Sequence, residues 1–160
     1  MAATGLLVLR LAIGAVLAAH GSHVLFGLWS GDDIGPGGLS NEAIRMTNLG
    51  FEPGFLVAVL TGVIQLAGGL LVAAGWLTRW AAAAALGRVL IDIWFLYLPA
   101  GFFLNWTNHP VEGQGVEYAL LLSAALACLL LTGAGDFSFD AWRSGRTGRS
   151  SVRGRLSRRA

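Results

Sequence analysis

No lysine occurs among the 160 residues, and charged side chains of every kind make up only 12%. A soluble domain carries about 25%, so the chain cannot cover a water-facing globule in the usual way. Cysteine is nearly missing too. Cys128 stands alone, which excludes an internal disulfide, a Cys-X-X-Cys redox pair and a cysteine-ligated cluster. Its place in the last apolar run suits a small buried packing residue. The first residues, MAAT, lack the basic start of a cleavable signal, and Arg10 interrupts the early apolar stretch, so none is expected. Acid is absent from Ala141 onward, where seven arginines gather, while residues 1–140 hold four arginines against nine acids.

Long apolar runs are present in abundance. Hydrophobic residues make up 55% of the chain, and the mean hydropathy is +0.65. Four runs reach or approach the roughly 20 residues that cross about 30 Å of hydrocarbon: 5–29, 53–77, 79–99 and 115–134. A span must satisfy its own backbone within lipid, and the Leu/Ala/Gly-rich runs lack the period-2 alternation of a membrane barrel. The predicted fold class is therefore an all-α membrane protein, a four-transmembrane-helix antiparallel bundle. One domain covers 1–140, and an Arg-rich tail, 141–160, is expected to be disordered.

In the first loop, GDDIGPGG reads as a turn, and LSNEAIRMTNLG as a short amphipathic helix over about 41–49. Ser40 suits its N-cap, Leu39 and Ile44 a hydrophobic staple, and Gly50 its end. It is expected to be an ordered lid without chemistry. Arg79 and the arginine tail place both termini on the cytoplasmic side of a bacterial-type plasma membrane, with the acidic first loop outside. The tail is suited to anionic lipid. Neither aromatic interleaving nor a folded motif supports nucleic-acid binding.

The chemistry lies in the polar groups inside the spans. Arg10, His20, His23, Gln65, Arg88, Asp92 and Glu117 all fall within apolar runs. An Arg or Asp at mid-membrane costs about 2.5–3.5 kcal/mol on insertion scales, so such groups face a bundle interior and pair. His20 and His23 are about 60° apart around a helix, and Arg88 and Asp92 about 40° apart. Ala81 and Ala85 extend the Arg88–Asp92 stripe. Gly62, Gln65 and Gly69 form a second small-and-polar stripe, and Glu117, Ala124 and Cys128 a third. Arg88–Asp92 reads either as a structural ion pair or as part of a polar site, with Arg10 snorkelling to the inner surface. The histidines read as quinone or proton-handling groups or as interhelical hydrogen-bonders. A metal is disfavoured because no third ligand is evident.

These residues bring a family into view. LLVLRLAIG, AHGSHVLFG, GVIQLAGGLLVAAGWLTR, FFLNWTNHPVEGQGVEYALLL and GAGDFSFD, in that order, resemble the DoxX family of small four-helix membrane proteins over nearly all of 5–140. The chain departs from the family at Gln65, where Glu is frequent, and at Val24, where Lys is frequent. The resemblance implies a cytoplasmic-membrane protein. Some relatives resemble the small membrane subunit of thiosulfate:quinone oxidoreductase, and others are tied to oxidative-stress complexes.

Together these readings predict the membrane subunit of a quinone-linked oxidoreductase. His20 and His23 would bind or protonate the quinone, with Asp92 and Glu117 relaying protons. Arg10, Gln65, Arg88, Asn105, Trp106 and Tyr118 would serve as ligand-binding residues. The expected partners are the bilayer, a protein carrying the electron-donor site and a further copy of the chain. Whether the chain itself catalyses a reaction is left open. A non-catalytic membrane scaffold is the first alternative and a small-solute transporter the second.

Overall fold

The computed structural model describes residues 2–31, 35–105 and 114–145. Six α-helices account for most of them: α1 (Ala2–Phe26), α2 (Leu39–Asn48), α3 (Gly54–Ala74), α4 (Thr78–Asp92), α5 (Glu117–Thr132) and α6 (Phe139–Arg143). Beyond Asp92 the α4 rod continues through a wider π turn, Ile93–Tyr97, and a tight 3-10 turn, Leu98–Ala100. Three rods are long and apolar enough to cross a membrane, namely Ala3–Phe26, Gly54–Ala74 and Thr78–Ala100, and α5 is a shorter apolar helix.

The four long helices form a closed ring. Helix α1 packs on α3, α3 on α4, α4 on α5 and α5 on α1. Small residues set the spacing. A Cβ added to Gly69 would lie 2.6 Å from Ala18 N and 2.7 Å from Gly14 O, and a Cβ on Gly21 would collide with the backbone of Leu66. Glycines let the α1 and α3 backbones touch, which gains dispersion contact where lipid supplies no hydrophobic drive. As the α1 number rises through Gly14, Gly21 and Leu25, its α3 neighbour falls through Gly69, Leu66 and Gly62, so the two helices are antiparallel.

The α4–α5 seam works differently. Ala81, Ala82 and Ala85 of α4 are buried in one cluster with Leu126 and Leu129 of α5. This corrects the expected third stripe: Ala124 and Cys128 are exposed. With α4 already presenting alanines, a second small face would leave a void, and close packing requires large side chains opposite. The outer surface is correspondingly apolar, with Trp80 78% and Leu131 76% exposed. A surface of this kind belongs in lipid, not in water.

One end of the bundle is closed by a polar knot. Arg10 is 1% exposed. Its Nη1 donates to Ala134 O, and its Nη2 donates to Phe137 O at 2.7 Å. Arg10 therefore does not snorkel to the surface: a Cβ at Gly75 would reach its guanidinium, so that glycine leaves the space the side chain occupies. Nearby, the N–H groups of Leu77 and Thr78, unpaired donors at the start of α4, donate to the Asp140 carboxylate at 2.9 and 3.1 Å. Ser138 caps α6 by accepting from Ala141 N. The ordered domain thus runs past residue 140, into the first part of the expected tail. The rest of the tail, 146–160, lies outside the described residues.

Helix α2 lies where the sequence places it, but its cap differs. It starts at Leu39 with Gly38 at the N-cap (φ 95°) and no side-chain cap, so Ser40 does not serve. Gly38 N–H donates to His23 O at 2.9 Å, and Gly38 O accepts from Glu42 N at 3.1 Å. This tie from the end of α1 fixes the helix start, and only a glycine adopts that backbone readily.

Candidate functional site

At the end of the bundle away from Arg10, α2 crosses over α1, α3 and α4 and encloses a partly open cavity of 530 Å³. Its walls include His20 and His23 from α1, Gln65 from α3, and Arg88 and Asp92 from α4. A narrow extension of 40 Å³ shares His20, Gln65, Asp92 and Tyr97 and reaches Tyr118 of α5. On the other side of Arg88 and Asp92 lies an apolar hollow of 190 Å³, lined by side chains such as Val57, Ile91 and Phe95.

The central pair is Arg88 and Asp92, 7% and 9% exposed, joined as an i,i+4 ion pair. Arg88 Nε also donates to Thr61 Oγ1 at 3.1 Å. Glu42 of α2 extends the network: its carboxylate lies 4.0 Å from Arg88 Nη2 and accepts two hydrogen bonds from Arg45, at 2.7 and 2.9 Å. The four charges alternate in sign, Arg45–Glu42–Arg88–Asp92, so each is neutralised locally as its depth demands. Burial opposes the charge on Arg45, but its hydrogen bond with Glu42 and the attraction of Glu42, Asp92 and Tyr97 outweigh this and raise its pKa.

Each histidine ring is held through Nδ1. His20 Nδ1 lies 2.9 Å from Val16 O, and His23 Nδ1 lies 2.9 Å from Leu28 O. A Cβ on Gly37 would fall 2.7 Å from the His23 ring, so the glycine loop packs directly on that imidazole.

Other expected site residues sit elsewhere. Arg10 belongs to the opposite end. Glu117 Oε2 accepts from Leu104 N at 3.0 Å, which ties the loop after α4 to the start of α5 and does not line the cavity. Asn105 N–H donates to Gln114 Oε1 at 3.3 Å in the same loop, and Trp106 lies outside the described residues. Tyr118 reaches only the narrow extension. Among the described residues, no group of three His, Cys, Asp or Glu side chains is placed to hold a metal ion.

Sequence reasoning missed Glu42, Arg45 and Tyr97. The signal for the first two was there: Asn41, Glu42, Arg45 and Asn48 follow helical spacing and all line the cavity. Tyr97 left no such trace. Five residues after Asp92, an ideal helix would turn it about 140° away, whereas the intervening π turn brings both side chains to the cavity.

These features define a helical, multi-pass membrane protein with a charged cavity beneath a short amphipathic helix. The family model for DoxX matches residues 5–98, more than half of the chain, and the chain belongs to the DoxX family. The match takes in α1 to α4 and thus His20, His23, Gln65, Arg88 and Asp92. Neither the curated proteins nor the solved structures include a significant match.

Proposed function

We propose that this protein is the membrane subunit of a quinone-linked oxidoreductase and that the 530 Å³ cavity receives the quinone headgroup. The observation carrying this reading is the convergence of two tethered imidazoles, an amide and a buried ion pair from three helices on one cavity. Its size falls within the ~300–1,000 Å³ typical of small-ligand sites. A headgroup with two ring oxygens needs polar partners and a route for protons. In their protonated form His20 and His23 donate to it through Nε2, Nδ1 being engaged with backbone carbonyls, and Asp92, with Arg88 balancing its charge, connects the cavity to Tyr97 and Tyr118 for proton movement. A quinone supplies reversible two-electron, two-proton chemistry when bound. The electron donor is assigned to a partner protein.

In this reading α5 is the fourth span, both termini face the cytoplasm, and α2 covers the cavity on the outer face of a bacterial-type plasma membrane. Quinone binding to purified protein in lipid nanodiscs tests the function directly. A ubiquinone or menaquinone analogue should bind saturably. His20→Ala and His23→Ala should each weaken binding about tenfold, the worth of one hydrogen bond of about 1.4 kcal/mol. Binding that is unchanged in both variants would remove the site.

A further inference from the structure

A quinone whose ring sits in the charged cavity still has an apolar tail to place, and leaving that tail in water is unfavourable. Two spaces share walls with the cavity. The extension toward Tyr118 holds 40 Å³, little more than the roughly 30 Å³ that one water occupies in the liquid. It is also edged by Gln65, Asp92 and Tyr97, which are polar. The apolar hollow of 190 Å³ is different. It shares Arg88 and Asp92 with the cavity, and α2 reaches both spaces. Glu42 and Arg45 line the cavity, whereas Met46 and Leu49 line the hollow. Two further walls of the hollow, Ile91 and Phe95, are 47% and 45% exposed. The hollow therefore borders the charged cavity at one edge and the apolar outer surface at the other.

An apolar cavity of about 150 Å³ stays dry and takes a guest the size of benzene. A hollow of 190 Å³ has room for about one isoprene unit, which is comparable in size. We infer that this hollow holds the first isoprenoid unit of the quinone tail and is the tail's way out to the bilayer. This rests on the quinone-site reading above and adds the tail to it. Lipid chains are as apolar as the hollow, so the tail gains little affinity by entering it. The hollow acts by admitting a ring that carries a tail, and filling it excludes such a ring. Leu49 of α2 and Val57 of α3 line it, so bulk added at either position takes up the tail's space.

Paired ligands test it. A tailless dimethoxy-methyl-benzoquinone and its homologue with a single isoprene unit are titrated into the full chain in nanodiscs. Val57→Trp and Leu49→Trp should each lower the ratio of tailed to tailless affinity by about tenfold, within the range that overpacking produces. Comparing each variant with wild type cancels the partition of the tail into the bilayer. A photoreactive quinone with a diazirine in its first tail unit gives a second measurement, on the wild-type chain. It should label Met46, which at 3% exposed is out of reach of probe in the bulk bilayer. If both variants lose the two ligands alike, the Met46 label decides. A ratio unchanged in both variants, or labelling confined to α1 and α5, overturns the inference and leaves a ring site in place. Binding of neither quinone to wild type overturns both readings.

Discussion

At the scale of single residues, the buried charges decide most. Arg88 and Asp92 sit within the helical rods, yet each has an oppositely charged partner and Arg88 a hydroxyl acceptor in Thr61. Breaking a buried pair by removing one partner typically costs about 3–5 kcal/mol, whereas replacing both partners by packed apolar side chains costs far less. Asp92→Asn is therefore expected to lower the thermal melting point in detergent markedly. The Arg88→Met/Asp92→Leu double variant should melt closer to wild type than either single change. If the double variant is no better than the singles, the pair is not the source of the loss. Arg10 behaves differently because its partners are backbone carbonyls. Arg10→Met orphans Ala134 O and Phe137 O and should cost about 2–3 kcal/mol while leaving ligand affinity at the opposite end of the bundle unchanged. Melting curves and binding titrations on that one variant separate the two ends of the molecule.

At the scale of elements, three junctions carry the architecture. The α1–α3 crossing depends on backbone proximity at Gly14, Gly21 and Gly69. Gly21→Leu would drive a side chain into the Leu66 backbone, and overpacking typically costs about 1–3 kcal/mol. It should also shift His20 and His23, which flank that glycine, so the expected readouts are lowered stability and weaker binding together. Stability lost with binding intact would mean that the crossing does not hold the histidines in place. The start of α4 depends on Asp140, whose two oxygens accept from Leu77 and Thr78. Asp140→Ala should cost about 1 kcal/mol as the loss of a helix cap, and hydrogen exchange at those two amides should quicken first. The third junction is α2, joined to the rest by Gly38 N–H to His23 O and by the Glu42–Arg88 contact. Charge complementarity, not only apolar packing, holds it over the cavity.

At the scale of the whole molecule, the polar groups divide into two sets at opposite ends of a four-helix ring. One set, around Arg10 and Asp140, hydrogen-bonds backbone groups at helix ends and turns. The other, around Arg88 and Asp92, borders space. Large apolar residues face outward along the ring, and the buried charges Arg10, Arg88 and Asp92 lie inside it, the arrangement a lipid environment favours. If four spans place both termini on the cytoplasmic side, single cysteines introduced on α2 at Ser40 and on α6 at Arg143 of a Cys128→Ser background should label from opposite faces of sealed, oriented vesicles. Labelling from the same face would require an even number of crossings between them and a different topology.

Much of this was legible in the chain itself. Apolar run length and the cost of an unsatisfied backbone in lipid determined that the chain is helical. The His20/His23 and Arg88/Asp92 spacings determined that each pair shares a helix face, and the Gly62–Gly69 stripe marked a close crossing. None of these local rules reports what stands opposite a given side chain. Arg10 looked like a site residue because its depth is encoded in the sequence, while its carbonyl partners lie 124 and 127 positions away. Glu117 was misread for a similar reason, since its partner is a backbone amide brought close by a loop. Cys128 and Ala124 face outward because α4, not α5, supplies the small side of their seam. Tyr97 enters the cavity through a change in helical period that no residue type announces. Periodicity is a property of a segment and can be read along it. The cavity is a property of the space between segments, and only their packing brought Glu42, His20, Gln65 and Asp92 to its walls.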